Sequence, residues 1–100
     1  MVQATTPTFV LTLPNTVDLS LAQNVYFTLR QGSVLIEKTG EALTIDENEV
    51  SVFLSQAETL QLSVGQARLQ LNWTYAGGER ACTNIAHVAV SENLLKEVVE

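Results

Sequence analysis

Cysteine, histidine and tryptophan each occur once in this 100-residue chain, and proline twice. With Cys82 alone, no internal disulfide is possible, so a reducing compartment or a fold that needs no covalent staple is expected. One histidine and one cysteine cannot supply the several nitrogen and sulfur ligands of a structural zinc site. Bases are also scarce: Arg30, Lys38, Arg68, Arg80 and Lys96 stand against eleven acids, for a net charge of -6. They are scattered along the chain, whereas contacts to a phosphate backbone need clustered Lys and Arg, so nucleic acid is not an expected partner. No apolar run approaches the ~20 residues that cross a bilayer, and the first ten residues lack the basic and apolar regions of a secretory signal. A small cytoplasmic protein with no membrane partner is expected, and its composition calls for no cofactor.

What the chain does have is alternation. Thr8–Leu13 (TFVLTL), Val25–Arg30 (VYFTLR), Val50–Leu54 (VSVFL), Ala67–Tyr75 (ARLQLNWTY) and Ala86–Val90 (AHVAV) place apolar and polar residues in turn. Successive side chains of a strand point to opposite faces, so this period of two marks strands with one buried face. The inward set is Phe9, Leu11, Phe27, Leu29, Val50, Val52, Leu69, Leu71, Trp73 and Val88. At 46% hydrophobic residues and 100 residues in length, one core is feasible without metal or disulfide.

The connections carry their own signals. Gln31-Gly32 and Ala76-Gly77-Gly78-Glu79 read as hairpin turns, and Asp46-Glu47-Asn48 as a third, with Asn48 the residue suited to a left-handed conformation. Asp18 or Ser20 is placed to cap a single helical turn, and Ser55 with Glu58 three residues later fits a capping box. The last strand has an uneven phase: Cys82 shares parity with Ala86, Val88 and Val90, while Ile85 does not, and a bulge near Thr83-Asn84 would reconcile them. Leu94, Leu95, Val98 and Val99 then recur at helical spacing after Ser91. Strands separated by turns every eight to twelve residues favour a sandwich over a barrel. The expected fold is all-β: a single immunoglobulin-like antiparallel β-sandwich over residues 1–100, of about seven strands, with residues 91–100 as a short C-terminal helix or a flexible tail.

No constellation of residues announces chemistry. His87 alternates with the inward residues and is expected outside, and Cys82 is expected as a small core residue. Five apart on one strand, the two face opposite sides unless a bulge intervenes, which speaks against a nucleophile–base pair. Asp46, Glu47 and Glu49 lack the spaced ligands and central glycine of a calcium loop, and Gly77-Gly78 lacks the spacing and lysine of a phosphate loop. The chain is therefore not expected to be an enzyme. Trp73 is expected inside, and Tyr26, Phe53 and Tyr75 as outward aromatic surface. Together with Leu94, Leu95 and Val98 of the closing segment, these three form the candidate interface, since exposed aromatic and apolar groups favour protein contacts or sugar stacking.

One resemblance is carried by the order of four strings. TTPTFVLTLP at Thr5–Pro14 leads into VYFTLRQGSVLIEK, then VSVFLSQAETL, and last a strand region with GGE and VAV. This order resembles a family of small proteins encoded in phages and prophages of Gram-positive bacteria, and is similar to the N-terminal β-sandwich of phage upper-baseplate proteins. The resemblance covers Thr5 to about Val90 and carries no catalytic residue. It implies a structural or assembly role in a phage tail, baseplate or head–tail region, with other phage structural proteins or further copies of the chain as partners. The implied location is the host cytoplasm during assembly, and the virion thereafter. The alternative is a carbohydrate- or ligand-binding sandwich that uses Tyr26, Tyr75 or Trp73.

Overall fold

The computed structural model describes all 100 residues as two antiparallel sheets packed face to face. In chain order the strands are β1 (Thr8–Thr12), β2 (Asn24–Gln31), β3 (Val34–Thr39), β4 (Leu43–Asp46), β5 (Glu49–Phe53), β6 (Gly65–Thr74), β7 (Arg80–Cys82) and β8 (Ala86–Val90). The smaller sheet has the order β1-β5-β4; the larger runs β3-β2-β6, with β7 and β8 both paired to the far side of β6. Taking β1 as the second strand of the immunoglobulin pattern gives B-E-D opposite C′-C-F-G, the order of an immunoglobulin-like sandwich.

The alternation explains the layers. Val25, Phe27 and Leu29 of β2 stand opposite Trp73, Leu71 and Leu69 of β6, and all six are buried. Val50 and Val52 cover them from the smaller sheet, with Phe9 and Leu11 packed at the margin. Phe9 stacks on Phe27 with ring centroids 6.2 Å apart, so one aromatic pair spans the two sheets. Leu19, Leu54 and Leu62 close the ends of the core from the connections.

The connections follow local chemistry. Asp18 accepts from the Ser20 backbone N–H and caps a single 3-10 turn at Leu19–Leu21. Helix α1 (Gln56–Leu60) is one turn long and carries the full capping box: Glu58 N–H donates to Ser55 Oγ at 3.2 Å, and Ser55 N–H donates to Glu58 Oε1 at 2.9 Å. Lys38 Nζ, on the larger sheet, reaches the same carboxylate at 2.7 and 2.8 Å, tying α1 to β3. The β2–β3 turn is Gly32-Ser33, one residue later than Gln31-Gly32, and Gly32 supplies the positive φ. At the β4–β5 turn it is Glu47, not Asn48, that adopts the left-handed conformation, and the Asn48 side chain donates to Leu13 O at 2.6 Å.

The bulge near Thr83-Asn84 is present and has a larger effect than parity alone indicates. β6 pairs Leu69 with Ala86 and Asn72 with Cys82, so three residues on one strand face two on the other. Thr83 staples the irregularity: its N–H donates to Leu71 O, its Oγ1 accepts from Leu71 N–H, and its carbonyl accepts from Gln70 Nε2. The break makes eight strands instead of seven. It also inverts the phase, so Ala81 faces the core and Cys82 is exposed, contrary to the expected core position.

The closing segment is not helical. Ser91 forms a parallel bridge with Val2, with Ser91 N–H donating to Met1 O at 2.8 Å and Gln3 N–H to Ser91 O at 3.0 Å. Residues 92–100 continue in irregular backbone. A ten-residue helix is marginal unless its apolar face is covered. Here the backbone instead finds partners in Gln3, Asn93 and Gln56, the last exchanging two hydrogen bonds with Val99 at 2.8 Å each.

Two outcomes follow. Phe27→Ala removes the ring joining both sheets and is expected to cost about 3–5 kcal/mol in urea unfolding. Burial raises the pKa of Glu58, but hydrogen bonds from Lys38 and Ser55 and the Lys38 charge outweigh it, leaving the carboxyl below its ordinary 4.5. A depressed carboxylate pKa contributes stability above that ordinary value and loses it as pH falls through the folded one. Acid unfolding of Glu58→Gln, followed by circular dichroism, should therefore be less steep below about pH 4.5 than that of the wild type.

Candidate functional site

The outward face of the larger sheet is set by the same register that builds the core. With odd-numbered residues of β2 and β6 buried, the even-numbered ones line the solvent side: Tyr26, Thr28 and Arg30 on β2, and Arg68, Gln70 and Asn72 on β6. Two shallow depressions share Thr28. One, of about 340 Å³, is bordered by Tyr26, Glu37, Asn72 and Arg80. The other, of about 180 Å³, lies between Arg30, Arg68, Gln70 and Ile85. Arg80 is held over the first by hydrogen bonds from its Nε and Nη2 to Asn72 Oδ1 at 3.4 and 3.1 Å.

The arginines are scattered in sequence and gathered in space. Arg30 stands directly opposite Arg68, and Arg68 directly opposite His87, so three strands present them in one row. Neither Arg30 nor Arg68 forms an ion pair; the two in the fold are Lys38–Glu58 and Lys96–Glu92. Arg30 Nε makes only a 3.4 Å contact with Gly32 O. Like charges directly opposite on neighbouring strands destabilise a sheet. Sequence spacing alone hid this row, because only the pairing of β2, β6 and β8 brings residues 30, 68 and 87 together.

The anticipated interface residues separate into three places. Tyr26 is 40% exposed and borders the larger depression. Phe53 is exposed on the outer face of the smaller sheet, on the other side of the sandwich. Tyr75 is not outward: it packs at the core margin, and its hydroxyl accepts from Trp73 Nε1 at 3.1 Å, giving the buried indole its partner. Leu94, Leu95 and Val98 are exposed on the closing segment, Leu94 by 92%. The fold thus does not bring these six residues into one site.

Because of the bulge, Cys82 and His87 share the outer face, opposite Asn72 and Arg68 respectively. No group of three or more His, Cys, Asp or Glu side chains is arranged to hold a metal ion. No helix is long and apolar enough to cross a membrane. No family model, curated protein or solved structure matches the chain.

The opposed arginines carry a measurable consequence. Arg68→Thr is expected to preserve or raise the melting temperature at low salt, by the few degrees that correspond to about 0.5 kcal/mol, with the gain shrinking as salt is added. A drop in melting temperature at both ionic strengths would show instead that the Arg68 stem supports the fold.

Proposed function

We propose that this chain is a non-enzymatic phage or prophage structural or assembly protein, a component of a tail, baseplate or head–tail region, which acts through protein–protein contacts. The observation that carries the reading is the closing segment. Leu94, Leu95, Val98 and Val99 are exposed apolar side chains on backbone that is pinned to the body. Asn93 fastens one end to Gln3, and Gln56 fastens the other through Val99. Apolar groups presented this way lose little further backbone entropy when a partner covers them. The resemblance to small phage sandwiches along Thr5 to about Val90 supports the same reading.

The alternative, a carbohydrate-binding sandwich, is favoured by one observation: the Tyr26 ring beside a depression lined by threonines, Glu37, Asn72 and Arg80. Trp73 and Tyr75 are not available to stack on a sugar, since one is buried and the other packs beside it.

Mass spectrometry of purified particles from an induced lysogen carrying the gene is expected to find the chain. Leu94→Ser with Leu95→Ser and Val98→Ser should remove it from particles while leaving its melting curve unchanged, because these side chains support no core. Absence of the wild-type chain from particles would overturn the reading, and a glycan-array signal lost on Tyr26→Ala would establish the alternative.

A further inference from the structure

The Arg30–Arg68 pair has a counterpart of opposite sign. At the β4–β5 hairpin, Asp46 stands directly opposite Glu49, both exposed, with Glu47 at the tip between them. None of these three carboxylates forms an ion pair. The sandwich therefore contains two like-charge cross-strand pairs, guanidiniums in the larger sheet and carboxylates in the smaller, each with Cβ atoms about 5 Å apart by the geometry of opposed residues.

The fold keeps the two pairs apart. Glu49 is paired with Thr12 at the end of β1, on the side from which the chain enters β2 at Asn24. Arg30 lies six residues further along β2, about 20 Å away at the rise of a strand. Asp46 and Glu49 also point outward from the smaller sheet, whereas the arginines point outward from the larger. No motion short of unfolding joins them within one molecule. The acidic pair is preorganised: the hairpin tip is clamped by Leu13 N–H to Asn48 O at 2.8 Å, Asn48 Nδ2 to Leu13 O, and Leu19 N–H to Glu47 O at 2.7 Å.

We infer that the Arg30–Arg68–His87 row is the docking surface for the acidic β4–β5 hairpin of a second copy of this chain. Two carboxylates and two guanidiniums, each pair carried on directly opposed strand positions, complement one another in charge, and Arg–carboxylate pairs are the geometrically specific, stronger class of charged hydrogen bond. The contact is heterologous, larger-sheet face to smaller-sheet hairpin, so a bound pair leaves one surface of each kind free and the assembly grows into a ring or a filament. This rests on the assembly reading above and specifies the partner as the chain itself.

Sedimentation velocity on the full chain from about 10 μM to about 1 mM tests it, at about 0.02 M and about 0.5 M salt. The weight-average mass should rise with concentration at low salt, pass the dimer, and fall back at high salt. Arg30→Glu with Arg68→Glu, and separately Asp46→Lys with Glu49→Lys, should each weaken association at least about tenfold. Mixed one to one, the two variants should associate again, since each restores the charge complement of the other. If either variant melts differently from wild type, Arg30→Gln with Arg68→Gln removes the charges without adding new ones and should weaken association likewise. A wild type that stays monomeric at low salt overturns the inference, as does association unchanged by the variants or a mixture that stays apart. A monomeric chain that binds heparin through the arginines overturns it in favour of a non-protein polyanion. Incorporation of a monomeric chain into particles would sink this inference alone, whereas self-association without incorporation would sink only the virion reading.

Discussion

The pairing of β2 with β6 is the constraint on which the rest of the molecule depends. It sets Phe27 against Leu71 in the middle of the core and, three residues further along β2, sets Arg30 against Arg68 in water. A slip of one residue would turn all the buried side chains outward, so the hydrophobic face fixes the register with a large energy. The arginines are carried along by that choice. A local charge conflict worth tenths of a kcal/mol persists because removing it by slippage would expose a whole apolar face.

The same hierarchy explains how much was legible in the chain itself. Period-two alternation identified the two layers, since burial of Leu69, Leu71 and Trp73 is a local consequence of strand geometry. The capping box at Ser55 and Glu58 was equally legible, because both partners lie within four residues. Tyr75 was not: its position depends on the indole nitrogen of Trp73 needing an acceptor once buried, a tertiary demand. The closing segment was misread for a related reason. Leu94, Leu95, Val98 and Val99 have helical spacing, but spacing stabilises a helix only where a surface covers its apolar stripe. Here the amides of Gln3 and Gln56 offer the backbone other partners.

The candidate site was the least legible part. Its residues come from β2, β6 and β8, separated by tens of positions, and each alone looks like an ordinary solvated base. Neither Arg30 nor Arg68 has an ion-pair partner, in a chain with more than twice as many acids as bases. The half-buried carboxylate of Glu58 is already committed to Lys38 and the Ser55 cap. Charge segregated in this way bears on association more than on folding: it sets orientation and encounter rate between molecules.

The bulge at Thr83 has a practical corollary for the sulfur atom next to it. By inverting the phase of the strand, it delivers the sole thiol, Cys82, to the solvent side of the larger sheet, on the same face as the arginine row. Nature has thereby left a unique chemical handle where a fluorophore or spin label can be attached without altering any other residue. The dye would sit beside the contact surface, close enough to register changes in its surroundings and outside the packed interior that keeps the two sheets together.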